Sequence, residues 1–274
     1  MRDASPQSVL RFEDVTVRFD ELAALEAVSF EVFAGETRVV FGAAGSGKTV
    51  LLKTALGLIR PDSGRVFVFG SDITRMREQE LFQLRSRIGV LFQEGGLFDS
   101  LSVEENVGYG LENLAEFRLP PEEIRSRAEE ALRFVALEHT LDKFPAELSG
   151  GMRRRVGIAR AVVTAPELVL YDSPTAGLDP ITAYTIITLI AKARDVQNTT
   201  SVMATHRYQD GHFLATCRYN AQLGWVEPVP EPDQAALGTV CMVMREGKVA
   251  FEGTFEELTA STDPYVSKFV KREE

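Results

Sequence analysis

The sequence is short of the residues on which disulfide-rich, metal-binding and membrane-spanning proteins depend. Only two cysteines, Cys217 and Cys241, occur among 274 residues, and their spacing is not that of metal ligands. A disulfide framework or a zinc site is therefore not expected, the two thiols are interpreted as ordinary buried side chains, and the cytosol suits the chain. No apolar run is long enough to span a bilayer, and residues 1–6 lack the apolar stretch of a secretory signal. If the protein acts at a membrane, another component must anchor it.

Positive charge is also scarce. The 30 Lys and Arg residues stand against 40 Asp and Glu residues, which gives a formal net charge of −10. This balance argues against a protein held to nucleic acid or anionic lipid by general electrostatics, and we expect no nucleic-acid partner. Apolar residues, by contrast, are plentiful. A hydrophobic content of 45% is ample for a buried core in one large domain or two small ones.

A glycine-rich segment near the N-terminus is typical of a phosphate-binding loop. Residues 9–33 alternate apolar and polar side chains, as half-buried antiparallel strands do, and the apolar run 39–41 then enters the loop. Strand, loop and helix are the context that the motif requires, because loop N–H groups and a helix N-terminus bind polyphosphate. Lys48 adds a point charge for phosphate, and Thr49 adds a hydroxyl for magnesium. The predicted nucleotide contacts here are Gly42, Ala43, Ala44, Gly45, Ser46, Gly47, Lys48, Thr49 and Val50.

A second glycine pair begins a helix further along the chain. Between Gln93 and Leu148 the apolar residues follow helical periodicity, which predicts a small helical subdomain. Ser149, Gly150 and Gly151 come next, and glycines at a helix N-terminus allow a phosphate to approach the backbone closely. The arginines at 153–155 fit a solvated helix face as well as a contact with phosphate or a partner.

Two buried strands bring polar residues to the edge where open α/β sheets bind ligands. Residues 168–171 lead to Asp172, and residues 201–205 lead to His206. Asp172 is predicted to bind magnesium, and His206 is predicted to reach the γ-phosphate. The other two histidines lack this context and are interpreted as surface or packing residues.

These motifs, in this order, closely resemble those of the nucleotide-binding subunit of an ABC transporter, over about residues 9–258. The resemblance implies an α/β fold, a P-loop ABC ATPase cassette with a mostly parallel core sheet, an antiparallel β subdomain and an inserted α-helical subdomain. Residues 1–274 would form a single domain. Its implied parts are a nucleotide-binding core at about 9–92 and 158–258, a helical subdomain at 93–157, a surface insertion at 218–239 and a C-terminal tail at 259–274.

The resemblance also implies a dimer that binds ATP and Mg²⁺. Two copies would enclose two ATP molecules, with the phosphate loop of one copy facing Ser149, Gly150 and Gly151 of the other, and Asp179 would lie at the dimer interface. Phe19 would stack on adenine, and Gln93 would link the magnesium and the attacking water to the helical subdomain. The implied catalytic residues are Lys48, Gln93, Ser173 and His206, and the implied metal ligands are Thr49, Gln93 and Asp172.

Ser173 departs from the family, which has a glutamate there as the base in ATP hydrolysis. A hydroxyl is a poor base near neutral pH, and general-base assistance contributes about 10²–10⁴ in rate. We therefore expect tight ATP-driven closure with weak intrinsic hydrolysis, although electrostatic positioning would allow activity to persist. Three explanations stay open: a naturally slow site, rescue by His206 or by a carboxylate such as Glu94, and a change introduced into the natural sequence.

Further segments resemble the Mla and Mce type lipid-transport ATPases. They are residues 96–107, the tail at 263–270, and Met152 where most cassettes have glutamine. The cargo would be phospholipid or another hydrophobic molecule, passed between the inner membrane and a periplasmic or membrane-anchored lipid-binding protein. Residues 95–103 would receive a short helix of transmembrane permease subunits on the cytoplasmic face, although Leu97 and Phe98 fit ordinary core packing equally well.

Other functions stay open at this point. The same ATPase motifs would serve an importer of a small polar solute, or an ATP-gated clamp that seldom hydrolyses. A soluble cassette protein acting on ribosomes or DNA is disfavoured, because the chain has one cassette and no long heptad segment.

The insertion at 218–239 contains Trp225 together with Pro228, Pro230 and Pro232, which predict an extended surface loop rather than a helix. Trp225 fits a loop-anchoring residue better than a partner contact. The following residues predict a hairpin that turns near Glu246 and Gly247.

Overall fold

The computed structural model describes residues 7–114 and 118–270, which form two sheets flanked by helices and a small hairpin. The strands are β1 (Ser8–Phe19), β2 (Leu22–Phe33), β3 (Thr37–Phe41), β4 (Ser63–Val68), β5 (Ser71–Asp72), β6 (Ile88–Leu91), β7 (Leu168–Asp172), β8 (Thr200–Thr205), β9 (Cys217–Asn220), β10 (Trp225–Pro228), β11 (Thr239–Arg245) and β12 (Lys248–Gly253). The α-helices are α1 (Lys48–Ala55), α2 (Glu78–Arg85), α3 (Val103–Asn113), α4 (Pro121–Phe134), α5 (Gly150–Val162), α6 (Pro180–Gln197), α7 (Tyr208–Thr216), α8 (Glu231–Gln234) and α9 (Phe255–Thr259).

Among the described residues the central sheet has the strand order β12-β11-β3-β8-β7-β6, and only β12 runs antiparallel to its neighbour. Every residue of β3, β7 and β8 is buried, because helices and the second sheet cover both faces. Successive residues alternate between two apolar cores. Val169 and Tyr171 belong to one core, and Leu168 and Leu170 belong to the other. The mostly parallel α/β fold predicted from the sequence is confirmed.

The second sheet, with the order β2-β1-β4-β5, is antiparallel. Its alternation of buried and exposed residues was readable in the sequence, since Leu10, Phe12, Val15 and Val17 of β1 are buried. Phe12 stacks on Phe30 of β2 at a centroid separation of 4.8 Å. This sheet covers α1 and thereby fixes the helix that follows the phosphate-binding loop.

Helices α3, α4 and α5 form the predicted helical region. A capping box, in which Ser102 accepts from the N–H of Glu105 and Glu105 accepts from the N–H of Ser102, begins α3. Helix α4 begins at Pro121, where the sequence pattern placed a helix start. Helix α5 runs on to Val162 and packs against β6, so it physically connects the helical region with the central sheet.

The insertion differs from the extended loop that the prolines predicted. It folds as the β9–β10 hairpin followed by the short helix α8. Pro230 is the N-cap of α8, and Pro232 lies in its first turn. The backbone N–H groups there have no partner within the helix, so a proline, which lacks an N–H, loses no hydrogen bond. Trp225 is 63% exposed and is therefore not the anchor of the insertion. Asp195 of α6 anchors it instead, accepting from the N–H of Tyr219 at 2.7 Å.

Other features follow the sequence closely. The β11–β12 hairpin turns at Glu246 and Gly247, both with positive φ, as predicted. Cys241 is buried, and burial raises the pKa of its thiol to about 12. Cys217, which was also predicted to be buried, is only half-buried. No helix in the described ranges is long and apolar enough to cross a bilayer. The last four residues of the C-terminal tail lie outside the described part of the chain.

Candidate active site

The loop between β3 and α1 has the backbone geometry of a phosphate cradle. Gly47 caps α1 with φ +104°, and a Cβ there would lie 2.4 Å from the carbonyl oxygen of Ala24. Gly42 is equally crowded, because a Cβ would lie 2.3 Å from Ser46 Oγ. Only glycine allows the loop to pass so close to its neighbours while it exposes the N-terminus of α1. No acidic residue occupies the first turn of α1 to compete with an anion there.

Lys48 projects into this loop and is itself held by it. Its ammonium donates to the carbonyl oxygens of Gly42 at 2.7 Å and Ala43 at 2.8 Å. Burial lowers the pKa of Lys48, and the nearby Asp172 carboxylate opposes that shift. The result is a partly desolvated positive charge at a helix N-terminus, the environment in which a phosphate group binds most strongly.

A cavity of about 1260 Å³ opens over the loop and gathers most of the predicted site. Gln93, Ser173 and His206 line it together with Ala176, a residue whose place here the sequence did not indicate. The loop contributes Ala43, Ala44, Gly45, Gly47, Lys48, Thr49 and Val50 to the wall, whereas Gly42 and Ser46 are buried beneath it. A cavity of this size accommodates a nucleotide.

Asp172 and Ser173 stand side by side at the carboxyl end of β7. The Ser173 hydroxyl donates to Asp172 Oδ1 at 3.1 Å, and the Ser173 N–H donates to the carbonyl oxygen of Ala204 at 2.9 Å. Ser173 has a left-handed backbone, with φ +50°, which turns its side chain out of the strand toward the cavity. The side chain of Glu94, a carboxylate considered in its place, lies outside the described part of the structure.

The predicted magnesium ligands form a chemically suitable set. Thr49 offers a hydroxyl, Gln93 an amide oxygen and Asp172 a carboxylate, and hard oxygen donors of these kinds are those that Mg²⁺ prefers. Thr49 and Gln93 line the cavity, and Asp172 is close enough to Lys48 to influence its charge. These residues therefore fit the group, and their role as ligands remains a prediction.

Part of the cavity wall is formed by residues outside the sequence motifs. Leu22 at the start of β2 lines it, as does the β11–β12 turn with Glu246, whereas Phe19, the cross-strand partner of Leu22, is not among the lining residues. Phe19 is 50% exposed at the end of β1. Its stacking on adenine remains a prediction. Lys248 and Glu26, which form an ion pair at 3.1 Å, complete this wall, and no sequence motif pointed to them.

The second glycine pair lies away from this cavity. Ser149 caps α5, accepting from the N–H of Met152 at 3.3 Å, and both Ser149 and Gly150 are exposed. Of the described residues lining the large cavity, none is Ser149, Gly150 or Gly151. Gly150 instead borders a separate cavity of about 540 Å³ that also includes Gln93. Within one chain these N–H groups cannot reach the phosphate loop's ligand.

Arg154, one of the three arginines of α5, is buried and donates to the carbonyl oxygen of Ala176. Arg155 donates to the carbonyl oxygen of Val135 at 3.3 Å, and Arg153 is exposed. Two of the three thus hold the protein's own backbone, a role that the sequence left open. Asp179 caps α6, accepting from the N–H groups of Ile181 and Thr182. The hydrogen bond from the Thr182 side chain, together with these backbone bonds, lowers the pKa of the Asp179 carboxyl.

Comparison with known proteins decides the family. The sequence profile described as ABC transporter matches residues 25–176, more than half of the chain. The chain belongs to the ABC transporter family. It is an ATP-binding subunit, and ABC ATPases of this kind couple ATP hydrolysis to transport.

This ABC subunit is similar to two proteins of assigned function. It is 31% identical over 267 residues to the intermembrane phospholipid transport system ATP-binding protein MlaF of Haemophilus influenzae, spanning 97% of this chain and 92% of that protein. It is 41% identical over 186 residues to the methionine import ATP-binding protein MetN of Carboxydothermus hydrogenoformans, spanning 68% of this chain but 54% of that one.

Solved ABC cassettes have the same fold. A dimeric post-hydrolysis structure of the ATP-binding cassette MJ0796, bound to ADP and Pi, is 28% identical with a TM-score of 0.73 and covers 90% of this chain and 98% of its own. The cbiO1 protein of Clostridium perfringens, part of the ABC transporter complex cbiONQ, is 29% identical with a TM-score of 0.74 and covers 93% and 92%.

Proposed function

We propose that two copies of this chain close around two Mg-ATP molecules to drive a membrane permease, with phospholipid or another hydrophobic molecule as cargo. The observation that supports this best is the division of the site. The phosphate loop, Gln93 and His206 share one cavity, while Ser149 and Gly150 are exposed elsewhere. A second copy would bring its exposed α5 N-terminus to the γ-phosphate side of the first.

The roles of the chain's own residues follow from their positions. The N-terminus of α1 and Lys48 bind the β- and γ-phosphates, and Thr49, Gln93 and Asp172 hold Mg²⁺, which when bound neutralises phosphate charge. His206, at the end of β8, contacts the γ-phosphate as it gains charge on bond cleavage.

Ser173 sets the rate in this proposal. Its hydroxyl already donates to Asp172, and no carboxylate occupies its place to accept a proton from the attacking water. Hydrolysis therefore relies on positioning and electrostatics rather than on a carboxylate at position 173, and the closed dimer is long-lived. This favours an ATP-driven clamp with slow turnover over a rapidly cycling motor.

The partner surface is the segment at 95–103. Asn106 is fully buried and pins this segment, accepting from the N–H of Phe98 and donating to the carbonyl oxygens of Phe98 and Leu101. Phe98 stays 44% exposed against Tyr109, at a centroid separation of 4.8 Å. A rigid, partly exposed aromatic pair of this kind suits a short helix of a permease subunit on the cytoplasmic face of the inner membrane.

Lipid cargo is favoured by the extent of the match to MlaF, which spans nearly the whole chain and nearly the whole relative. Import of a small polar solute is the second candidate function. The sequence identity to MetN is higher than that to MlaF, although the match covers only about half of the MetN protein.

The test is to recover the tagged chain from detergent extracts of its source membranes and to measure ATP turnover of the recovered complex in detergent micelles without added lipid. Supplying phospholipid should stimulate turnover, whereas amino acids should not. Stimulation by amino acids alone would transfer the chain to the importers. Recovery with ribosomes or DNA and no membrane protein would refute the transporter assignment.

A further inference from the structure

Two loops lie beside the predicted γ-phosphate position. They begin at adjacent strands of the sheet and lead to different helices. Strands β7 and β8 are parallel neighbours, and the bond from the Ser173 N–H to the carbonyl oxygen of Ala204 lies at the end of their ladder. Beyond it, one loop leads through Ala176 to α6, and the other bears His206 and leads to α7. The ladder cannot set the distance between Ala176 and His206 past that point.

A buried carboxylate joins the two loops again. Asp210, in the first turn of α7, is 2% exposed. Its Oδ2 accepts from the hydroxyl of Thr175 at 2.6 Å and from the hydroxyl of Thr205 at 2.6 Å. Thr175 belongs to the loop after β7, and Thr205 is the last residue of β8. A single oxygen atom therefore holds both loops.

Arg207 closes the network. Its N–H donates to Thr205 Oγ1 at 3.1 Å, its guanidinium donates to the carbonyl oxygen of Thr175 at 3.3 Å, and its Nε lies 3.9 Å from Asp210 Oδ1. The residue next to His206 is thus fastened to both loops. The loop after β7 is also held from α5, because Arg154 donates a hydrogen bond to the carbonyl oxygen of Ala176.

We infer that Asp210 is a positioning residue for ATP hydrolysis: through Thr175 and Thr205 it fixes the distance between Ala176 and His206, which both line the nucleotide cavity. The inference rests on the proposed function of this site. Asp210 does not touch the nucleotide cavity, so it acts through the residues that line it.

The hydrogen bonds that join Thr175 and Thr205 to Asp210 are strong enough to make this bridge rigid. Hydrogen bonds from hydroxyls to a carboxylate are short and about twice as strong as neutral ones, and 2.6 Å is in that range. Burial raises the pKa of Asp210, and the two threonine bonds, Arg207 and His206 oppose that shift. An error of about 1 Å in such a site costs on the order of a hundredfold in rate. A purely structural role would instead show as lower stability with unchanged kinetics.

Thr175→Val tests this, because it removes one hydroxyl and keeps the shape of the side chain. We expect kcat for Mg-ATP to fall by about tenfold or more, with KM within about twofold of wild type, and Thr175→Ser to restore kcat. Thr140→Val is the matched control: Thr140 is fully buried, and its hydroxyl bonds a carbonyl oxygen in the helical region at 2.7 Å. It should lower the melting temperature similarly and leave kcat unchanged.

Unchanged kcat in Thr175→Val, or an equal fall in Thr140→Val, would overturn the inference. If Thr175→Val does not fold, Asp210→Asn decides, since it retains an acceptor oxygen but loses the charge, and kcat should again fall without a change in KM. A wild-type chain that shows no turnover at all, even with its membrane partner, would instead refute the proposed function.

Discussion

Replacing Ser173 by glutamate should accelerate ATP hydrolysis, because it would place a carboxylate where the cavity has a hydroxyl. Ser173 lines that cavity with Gln93 and His206, and its backbone already directs the side chain inward. The left-handed φ of +50° is required of either residue, so the exchange adds no new backbone strain. The neighbouring Asp172 carboxylate would raise the pKa of the new glutamate and so improve it as a base.

The size of the effect follows from what a positioned base contributes. General-base assistance is worth about 10²–10⁴ in rate, and a hundredfold corresponds to about 2.7 kcal/mol in the activation free energy. We take the lower limit, about a hundredfold, because a glutamate would lose the hydrogen bond that Ser173 donates to Asp172 and would lie beside that like charge. The variant should also show an acidic limb in its pH–rate profile that the wild type lacks, since a protonated glutamate cannot act as a base.

Single-turnover phosphate release, with enzyme in excess over Mg-ATP, measures this step free of product release. Ser173→Gln is the control, because it matches glutamate in size but cannot accept the proton, and it should gain no rate. Equal rates for wild type and Ser173→Glu would show that another group activates the water. An equal gain in Ser173→Gln would attribute the effect to volume and would also refute the reasoning.

Further predictions follow from single residues. Gly150→Ala should leave the melting temperature unchanged but abolish ATP-dependent dimerisation, because an added Cβ meets nothing within 4 Å in one chain but would obstruct a partner's phosphate. Gly151→Ala should lower the melting temperature in a thermal scan, because its Cβ would lie 2.5 Å from a methyl of α6. Burial lowers the pKa of Lys48 below 10.5, so ATP affinity, measured by titration calorimetry, should weaken as pH rises through that lowered pKa and the ammonium loses its charge. Phe98→Ala should reduce recovery of the membrane partner in a pull-down without affecting ATP-dependent dimerisation. The control is Phe82→Ala, which truncates a phenylalanine 50% exposed on α2 and should leave recovery of the membrane partner unchanged.

The sequence predicted the parts of the fold that local physics determines. Strand β7 was recognisable because a run of four apolar residues before Asp172 is typical of a strand buried on both faces of a sheet. The phosphate loop and the start of α5 were recognisable from glycine spacing, because few other residues allow such close approaches. His206 lines the cavity because parallel strands end at the same sheet edge, and its contact with the γ-phosphate stays a prediction.

Contacts between residues far apart in sequence were not predictable in this way. Asp210 has no distinctive local pattern, and its partner Thr175 lies 35 positions away on another loop. The prediction of an extended loop for the insertion was wrong, because proline also fits the first turn of a helix and occupies that position here. Trp225 was taken for an anchor because tryptophan is usually buried, but the hairpin is fastened through Asp195.

In the proposed function, ATP closes two copies of the chain into a dimer with composite sites. Sedimentation velocity with saturating Mg-ATP shows whether this dimer forms. We predict a species of about twice 30.3 kDa that persists because Ser173 slows hydrolysis, and a monomer without nucleotide, without magnesium, or in Lys48→Ala. A wild-type chain that stays monomeric in saturating Mg-ATP, while calorimetry shows the nucleotide to be bound, would contradict the account.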